Sequence, residues 1–204
     1  MKHSWMIVSV LVLGLLPSLA QAADQAAVSE AALNKVTTVC QNCHGARGDS
    51  VSGTFPRLNG QQAAYIEAQL KNFRSHGRGD PHAVAYMWGM ASQLDDPMIA
   101  DLAKYYAGQK PTAPQTGGAL AAKGKDIFEN GVPANGIPPC AACHGANGQG
   151  DKDTPRIAGQ HAAYLTSQLE AFRALLRENQ VMHANTKDMT DSQIEAIVSY
   201  LGND

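Results

Sequence analysis

The pentapeptide Cys40-Gln41-Asn42-Cys43-His44 recurs as Cys140-Ala141-Ala142-Cys143-His144, and the two copies use all four cysteines of the chain. Cys-x-x-Cys-His is the attachment signature of a c-type haem. Two thiols three residues apart each add across one of two neighbouring vinyl groups of a single porphyrin. The histidine that follows then lies under the iron and supplies the proximal ligand. A structural zinc site wants four ligands, and the motif offers only three. A redox dithiol has no need of the adjacent histidine and usually precedes a helix in a βαβ pattern, which this chain lacks. The expectation is two covalently attached haem c groups, at Cys40/Cys43 and Cys140/Cys143, with His44 and His144 as proximal axial ligands.

Similarity between the two halves extends well past the motif. Pro56-Arg57-Leu58-Asn59-Gly60-Gln61-Gln62-Ala63-Ala64-Tyr65 corresponds to Pro155-Arg156-Ile157-Ala158-Gly159-Gln160-His161-Ala162-Ala163-Tyr164. Gln69-Leu70-Lys71-Asn72-Phe73-Arg74 corresponds to Gln168-Leu169-Glu170-Ala171-Phe172-Arg173. Self-similarity of this length implies two copies of one domain, each with its own haem. Ile66, Leu70 and Phe73 recur at helical spacing, as do Leu165, Leu169 and Phe172. Asp95-Asp96-Pro97 opens a closing helix with the stripe Ile99, Leu102, Tyr106. Thr190-Asp191-Ser192-Gln193 forms a capping box before Ile194, Ile197, Val198 and Leu201. Helix formers dominate and β-branched runs are scarce, so the fold class is all-α. The segment before Cys40 is a weak helix former, with Ala31 to Val36 as its whole extent, whereas Gly124 to Phe128 is a good candidate before the second motif. Gly131 to Pro139 is expected to loop out.

The first residues look like an export signal: Lys2 and His3, an apolar run from Ile7 to Leu19, and the small-x-small pattern Ala20-Gln21-Ala22. The run is short for a membrane span of about 20 residues. Cleavage after Ala22 leaves domains at 23–110 and 119–204 with an exposed connector at 111–118, rich in proline and glycine. No later stretch would cross a bilayer. Without Lys2 the chain carries 15 basic and 18 acidic residues. That near-balance, with no basic cluster, gives no reason to expect a nucleic-acid partner. Covalent haem attachment implies an extracytoplasmic, hence periplasmic, location.

The sixth ligand decides between electron transfer and catalysis. Candidates are Met87, Met90, His76 and His82 in the first half, and Met182, Met189, His161 and His183 in the second. Aligning Leu94-Asp95-Asp96 with Met189-Thr190-Asp191 places Met87 and Met182 each seven residues before that mark. Met90 then faces Asn185, and Met189 takes the core position of Leu94. The register favours Met87 and Met182, with a bis-histidine site through His82 or His183 as the alternative. A thioether opposite histidine raises the potential and fills the coordination sphere, which suits outer-sphere transfer. Metal-bound histidine normally donates its other N–H to a carbonyl or carboxylate, a role expected of Pro56 and Pro155. Arg57 and Arg156, beside them, are candidate partners of haem propionates.

These motifs together resemble the dihaem cytochrome c4 family over nearly the whole mature chain. The likeness rests on the two Cys-x-x-Cys-His motifs, on Phe55-Pro56-Arg57-Leu58-x-Gly60-Gln61 with its copy at Pro155, and on Met87-x-x-Met90. It implies two tandem class I cytochrome c domains with haems facing across their interface, and it places the first distal ligand on Met87. It also implies a periplasmic carrier whose donor is a quinol-oxidising complex or dehydrogenase and whose acceptor is a terminal oxidase. Peripheral association with the membrane stays open. Two other readings compete. One is the electron-accepting subunit of a flavin sulfide dehydrogenase or alcohol dehydrogenase. The other is a dihaem oxidoreductase in its own right, such as a thiosulfate dehydrogenase or a peroxidase. An exposed apolar patch would favour the former, and an open iron the latter.

Overall fold

The computed structural model describes residues 27–115 and 118–202; the expected signal segment at 1–22 lies outside them. The first half contains α1 (Glu30–Lys35), α2 (Gln41–His44), α3 (Ala63–Arg74), α4 (Trp88–Ala91) and α5 (Asp96–Ala107). The second contains α6 (Gly118–Asn130), α7 (Ala141–His144), α8 (Ala162–Arg173), α9 (Gln180–Thr186) and α10 (Asp191–Leu201). Among the described residues there is no strand beyond isolated bridges, and no helix is long and apolar enough to cross a membrane.

The helix before Cys40 is longer than its composition suggests. Ser29 caps α1 by accepting from the Ala32 N–H. Val36–Cys40 then continue as a π-helical turn that runs directly into α2. The β-branched run Val36-Thr37-Thr38-Val39 is crowded in a regular helix. The hydroxyls of Thr37 and Thr38 donate back to the carbonyls of Leu33 and Asn34, competing with the backbone ladder. The second half reaches its motif differently. After α6, the Val132–Ile137 bridge and a 3₁₀ turn at Pro133–Asn135 make a loop before Cys140.

Both closing helices start where the caps lie. The Asp95 carboxylate accepts from Met98 N–H, with Pro97 in the first turn of α5. Thr190 and Gln193 form a reciprocal capping box on α10. Ile99, Leu102 and Tyr106 are buried from α5, and Ile194, Ile197, Val198 and Leu201 from α10. Each such side chain contributes about 1.5–3 kcal/mol of apolar burial. α6 crosses α10 so closely that a Cβ on Gly124 would lie 1.9 Å from the Ala196 carbonyl oxygen. In the first half, fully buried Ala32 belongs to the same apolar cluster as Ala103 of α5. One contact fixes the register of both halves: Arg74 donates to the Leu94 carbonyl and the Asp96 carboxylate, and Arg173 to the Met189 carbonyl and the Asp191 carboxylate. Leu94 and Met189 therefore occupy equivalent places, and both are buried.

Candidate haem-binding site

Each Cys-x-x-Cys-His ends a helical run at a glycine with φ of 79°, Gly45 or Gly145, a left-handed backbone that disfavours any side chain. The chain then turns back beneath the histidine. His44 Nδ1 lies 2.9 Å from the Pro56 carbonyl oxygen, and His144 Nδ1 lies 2.9 Å from that of Pro155. A carbonyl only accepts, so Nδ1 carries the proton in both rings and the Nε2 lone pair is left for a metal. Both imidazoles are buried, and burial holds their pKa below the ordinary histidine value despite the carbonyl, which favours the proton. Cys40 and Cys140 are half-buried, while Cys43 and Cys143 are exposed. Burial pushes the Cys40 thiol up and the Cys140 thiol to about 11.

One continuous cavity of about 1040 Å³ touches both motifs, about the upper limit for a site holding one small molecule. Its first-half wall includes Ile66, Leu70, Phe73, Leu94 and Leu102; its second-half wall includes Leu165, Leu169, Phe172, Met189, Ile197 and Leu201. Met87 and Met182 line it, both partly buried. Met87 closes a π-helical segment at Ala83–Met87. Met182 sits in the first turn of α9, its N–H bonded to the Asn179 side chain. Met90, His82 and Met189 also border the cavity. The remaining candidates, His76, His161 and His183, do not line the cavity. His76 stacks on Trp88 at 4.1 Å, His183 Nδ1 donates to the Phe172 carbonyl, and His161 is buried with Nε2 at 2.9 Å from the Ser50 carbonyl of the other half.

The waist between the halves is polar, buried and reciprocal. Gln61 donates to the Arg156 carbonyl and accepts from the Arg156 N–H, at 2.9 and 2.8 Å. Gln160 does the same to Arg57, also at 2.9 and 2.8 Å. Arg78 reaches Gln69, Tyr164 and Gln168, while Arg177 reaches Gln168, Tyr65 and Gln69. Each guanidinium also covers a phenylalanine of its own half, Phe73 or Phe172. Asp80, 1% exposed, bonds Arg78 Nε at 2.6 Å. Burial alone would raise its pKa, but Arg78 and the Gln168 amide outweigh burial and hold the carboxyl below its usual range. Its counterpart in the second half is the neutral Asn179.

These observations fit two haems. The two motifs open on apolar walls with room between them. Among the described residues the buried charges are Arg78, Arg177 and Asp80, leaving one guanidinium unmatched in a place where burying a lone cation is costly. The Tyr106 hydroxyl, buried on the cavity wall, faces the Cys40 sulfur. Propionates are the anions such a waist lacks. Arg57 and Arg156, the arginines the sequence singled out, also border the cavity. Their guanidinium groups donate to backbone carbonyls: Arg57 to Ser50 and Gly159, Arg156 to Thr112. Sequence reasoning did not single out Arg78, Arg177, Gln61 or Gln160 as site residues. Their recurrence at a constant offset between the halves was the available signal.

Comparison with known proteins gives the family. The family model for cytochrome c matches residues 17–109 and 121–203. Cytochrome c4 of Azotobacter vinelandii is 33% identical over 207 residues, covering 96% of this chain and 96% of that protein. A thiosulfate dehydrogenase electron acceptor of Stutzerimonas stutzeri (strain A1501) is 36% identical over 209 residues, covering 98% and 94%. The crystal structure of reduced recombinant cytochrome c4 from Pseudomonas stutzeri is 35% identical, with a TM-score of 0.78, and covers 86% of this chain and 98% of that one. With two motif-bearing halves of one helical plan and this likeness over nearly its full length, the chain belongs to the cytochrome c family, as a two-domain, dihaem electron-transfer protein of the cytochrome c4 kind.

Proposed function

We propose that the chain is an exported, periplasmic carrier in which each iron is held between a histidine and a methionine, His44 with Met87 and His144 with Met182. Cys40, Cys43, Cys140 and Cys143 provide the thioether attachments. Mature domains run over 23–110 and 119–204, joined at 111–118, after removal of 1–22. When bound, each haem supplies a one-electron couple. The protein's own residues do the rest. The prolyl carbonyls orient the imidazoles and hold the proton on Nδ1. The methionines fill the opposite side, and the apolar walls exclude water. Arg78 and Arg177 offer propionates charge-assisted hydrogen bonds at the waist. The supporting observation is that each oriented histidine shares one cavity with a methionine at equivalent register, while His76, His161 and His183 do not line that cavity.

By similarity, electrons come from a quinol-oxidising complex or a periplasmic dehydrogenase and leave towards a terminal oxidase. A second reading, the electron-accepting partner of a dehydrogenase, is favoured by the relative named a thiosulfate dehydrogenase electron acceptor. Both readings need saturated irons. Visible and near-infrared spectra of the holoprotein, with carbon monoxide added to the reduced form, test this. Two low-spin haems per chain, a methionine-to-iron band near ~700 nm and no carbon monoxide adduct are expected. A high-spin component or a ready adduct would overturn the ligand assignment.

A further inference from the structure

The peptide unit between Pro56 and Arg57 is bonded at both ends. Its carbonyl accepts from His44 of its own half, and its N–H donates to Gln160 Oε1 of the other half. The unit between Pro155 and Arg156 repeats this, with His144 on the carbonyl and Gln61 Oε1 on the N–H. The glutamines are built for this task. Both are buried. Each Oε1 also accepts from the next residue's own N–H at 3.0 Å, and each Nε2 faces a carbonyl. Two N–H donors at one end and a carbonyl at the other leave a single orientation for the amide.

We propose that Gln160 and Gln61 are positioning residues acting in trans: each sets the reduction potential of the haem in the half to which it does not belong. The proposal rests on His44 and His144 being the proximal ligands. A peptide that donates through its N–H carries more negative charge on its oxygen, strengthening the next hydrogen bond in the chain by about 10–30%. A stronger Nδ1–H···O bond makes the imidazole a more electron-rich ligand, which favours the ferric state and lowers the potential. Gln160 therefore holds down the potential of the haem at Cys40/Cys43, and Gln61 that of the haem at Cys140/Cys143. Docking of one half on the other thus enters each haem's potential through one peptide plane.

The test uses the holoprotein with Gln160→Leu and Gln61→Leu, made singly, and an NMR-monitored redox titration in which haem methyl resonances are assigned to each half. The expected pattern is crossed. Gln160→Leu raises the reduction equilibrium constant of the Cys40/Cys43 haem by about threefold, ~28 mV at 59 mV per tenfold, and leaves the other haem unchanged. Gln61→Leu does the converse. In the reduced protein the His44 Nδ1–H resonance moves upfield in Gln160→Leu. Gln160→Glu, which retains an oxygen acceptor, keeps that resonance at or downfield of its native position. Shifts confined to the mutated half's own haem, equal shifts in both haems, or a static His44 resonance would overturn the proposal. Failure of the ligand assignment shows separately, as a high-spin spectrum of the unmutated protein.

Discussion

Replacing Asp80 by alanine removes the buried carboxylate of the waist. The loss can be sized from its surroundings. Asp80 is 1% exposed and bonded at 2.6 Å to Arg78, itself buried. Removing one partner of a buried pair costs about 3–5 kcal/mol, because the other charge is stranded. Arg78 keeps Gln69, Tyr164 and Gln168 as acceptors at 2.9, 3.2 and 2.7 Å, and in the holoprotein the proposed propionate beside it, which places the loss at the lower end, about 3 kcal/mol. At about 2–4 °C per kcal/mol for a chain of this size, the unfolding midpoint falls by about 6–12 °C. Asp80→Asn, which copies Asn179, keeps an acceptor and costs about 1–2 kcal/mol. The acid dependence has a definite sign. A carboxyl held below its unfolded pKa gives stability that is complete above that value, near 4, and is lost as the pH falls through the lower folded value. Denaturant unfolding of the holoprotein, followed by circular dichroism at several pH values, measures this. The native protein and Asp80→Asn are expected to differ at pH 7 and to converge as the pH falls through the folded value. A difference that persists in acid, or a loss below about 1 kcal/mol for Asp80→Ala, would refute the reasoning.

Two further outcomes follow from the sites. Met87→Ala is expected to open the Cys40/Cys43 haem to carbon monoxide while the other haem stays closed, and Met182→Ala is expected to do the reverse; optical titration counts the adducts. Gly124→Val puts a side chain where even a Cβ would lie 1.9 Å from the Ala196 carbonyl oxygen. Prying α6 from α10 is expected to cost at least about 1–3 kcal/mol, seen as earlier thermal unfolding of the second half.

The helical plan was open to a reader of the sequence because its signals are local. Asp95-Asp96-Pro97 and Thr190 to Gln193 start helices wherever such caps precede an apolar stripe, and α5 and α10 start there. The length of the helical run before Cys40 was not, since Val36 to Val39 is a poor helix former and is accommodated by a π-helical turn. The waist was hidden for a different reason. Gln61 and Gln160 each recur, but recurrence does not show that each reaches across to the other copy. Arg57 and Arg156 drew attention by standing next to the prolines, yet the buried guanidinium groups are those of Arg78 and Arg177. A repeat reveals which residues matter to both copies, while contacts between copies depend on how the copies dock.

That docking has the logic of an isologous dimer, in which a first residue touches a second and the second touches the first. In a dimer of identical chains every substitution appears twice, on both sides of the axis. Here the two sides are covalently one chain and separately encoded. Asp80 therefore faces a waist whose symmetry-related position is Asn179, an arrangement closed to identical subunits. Fusing the copies keeps the shared interface and frees each side to drift, so two haems held by one architecture need not be electrically equal.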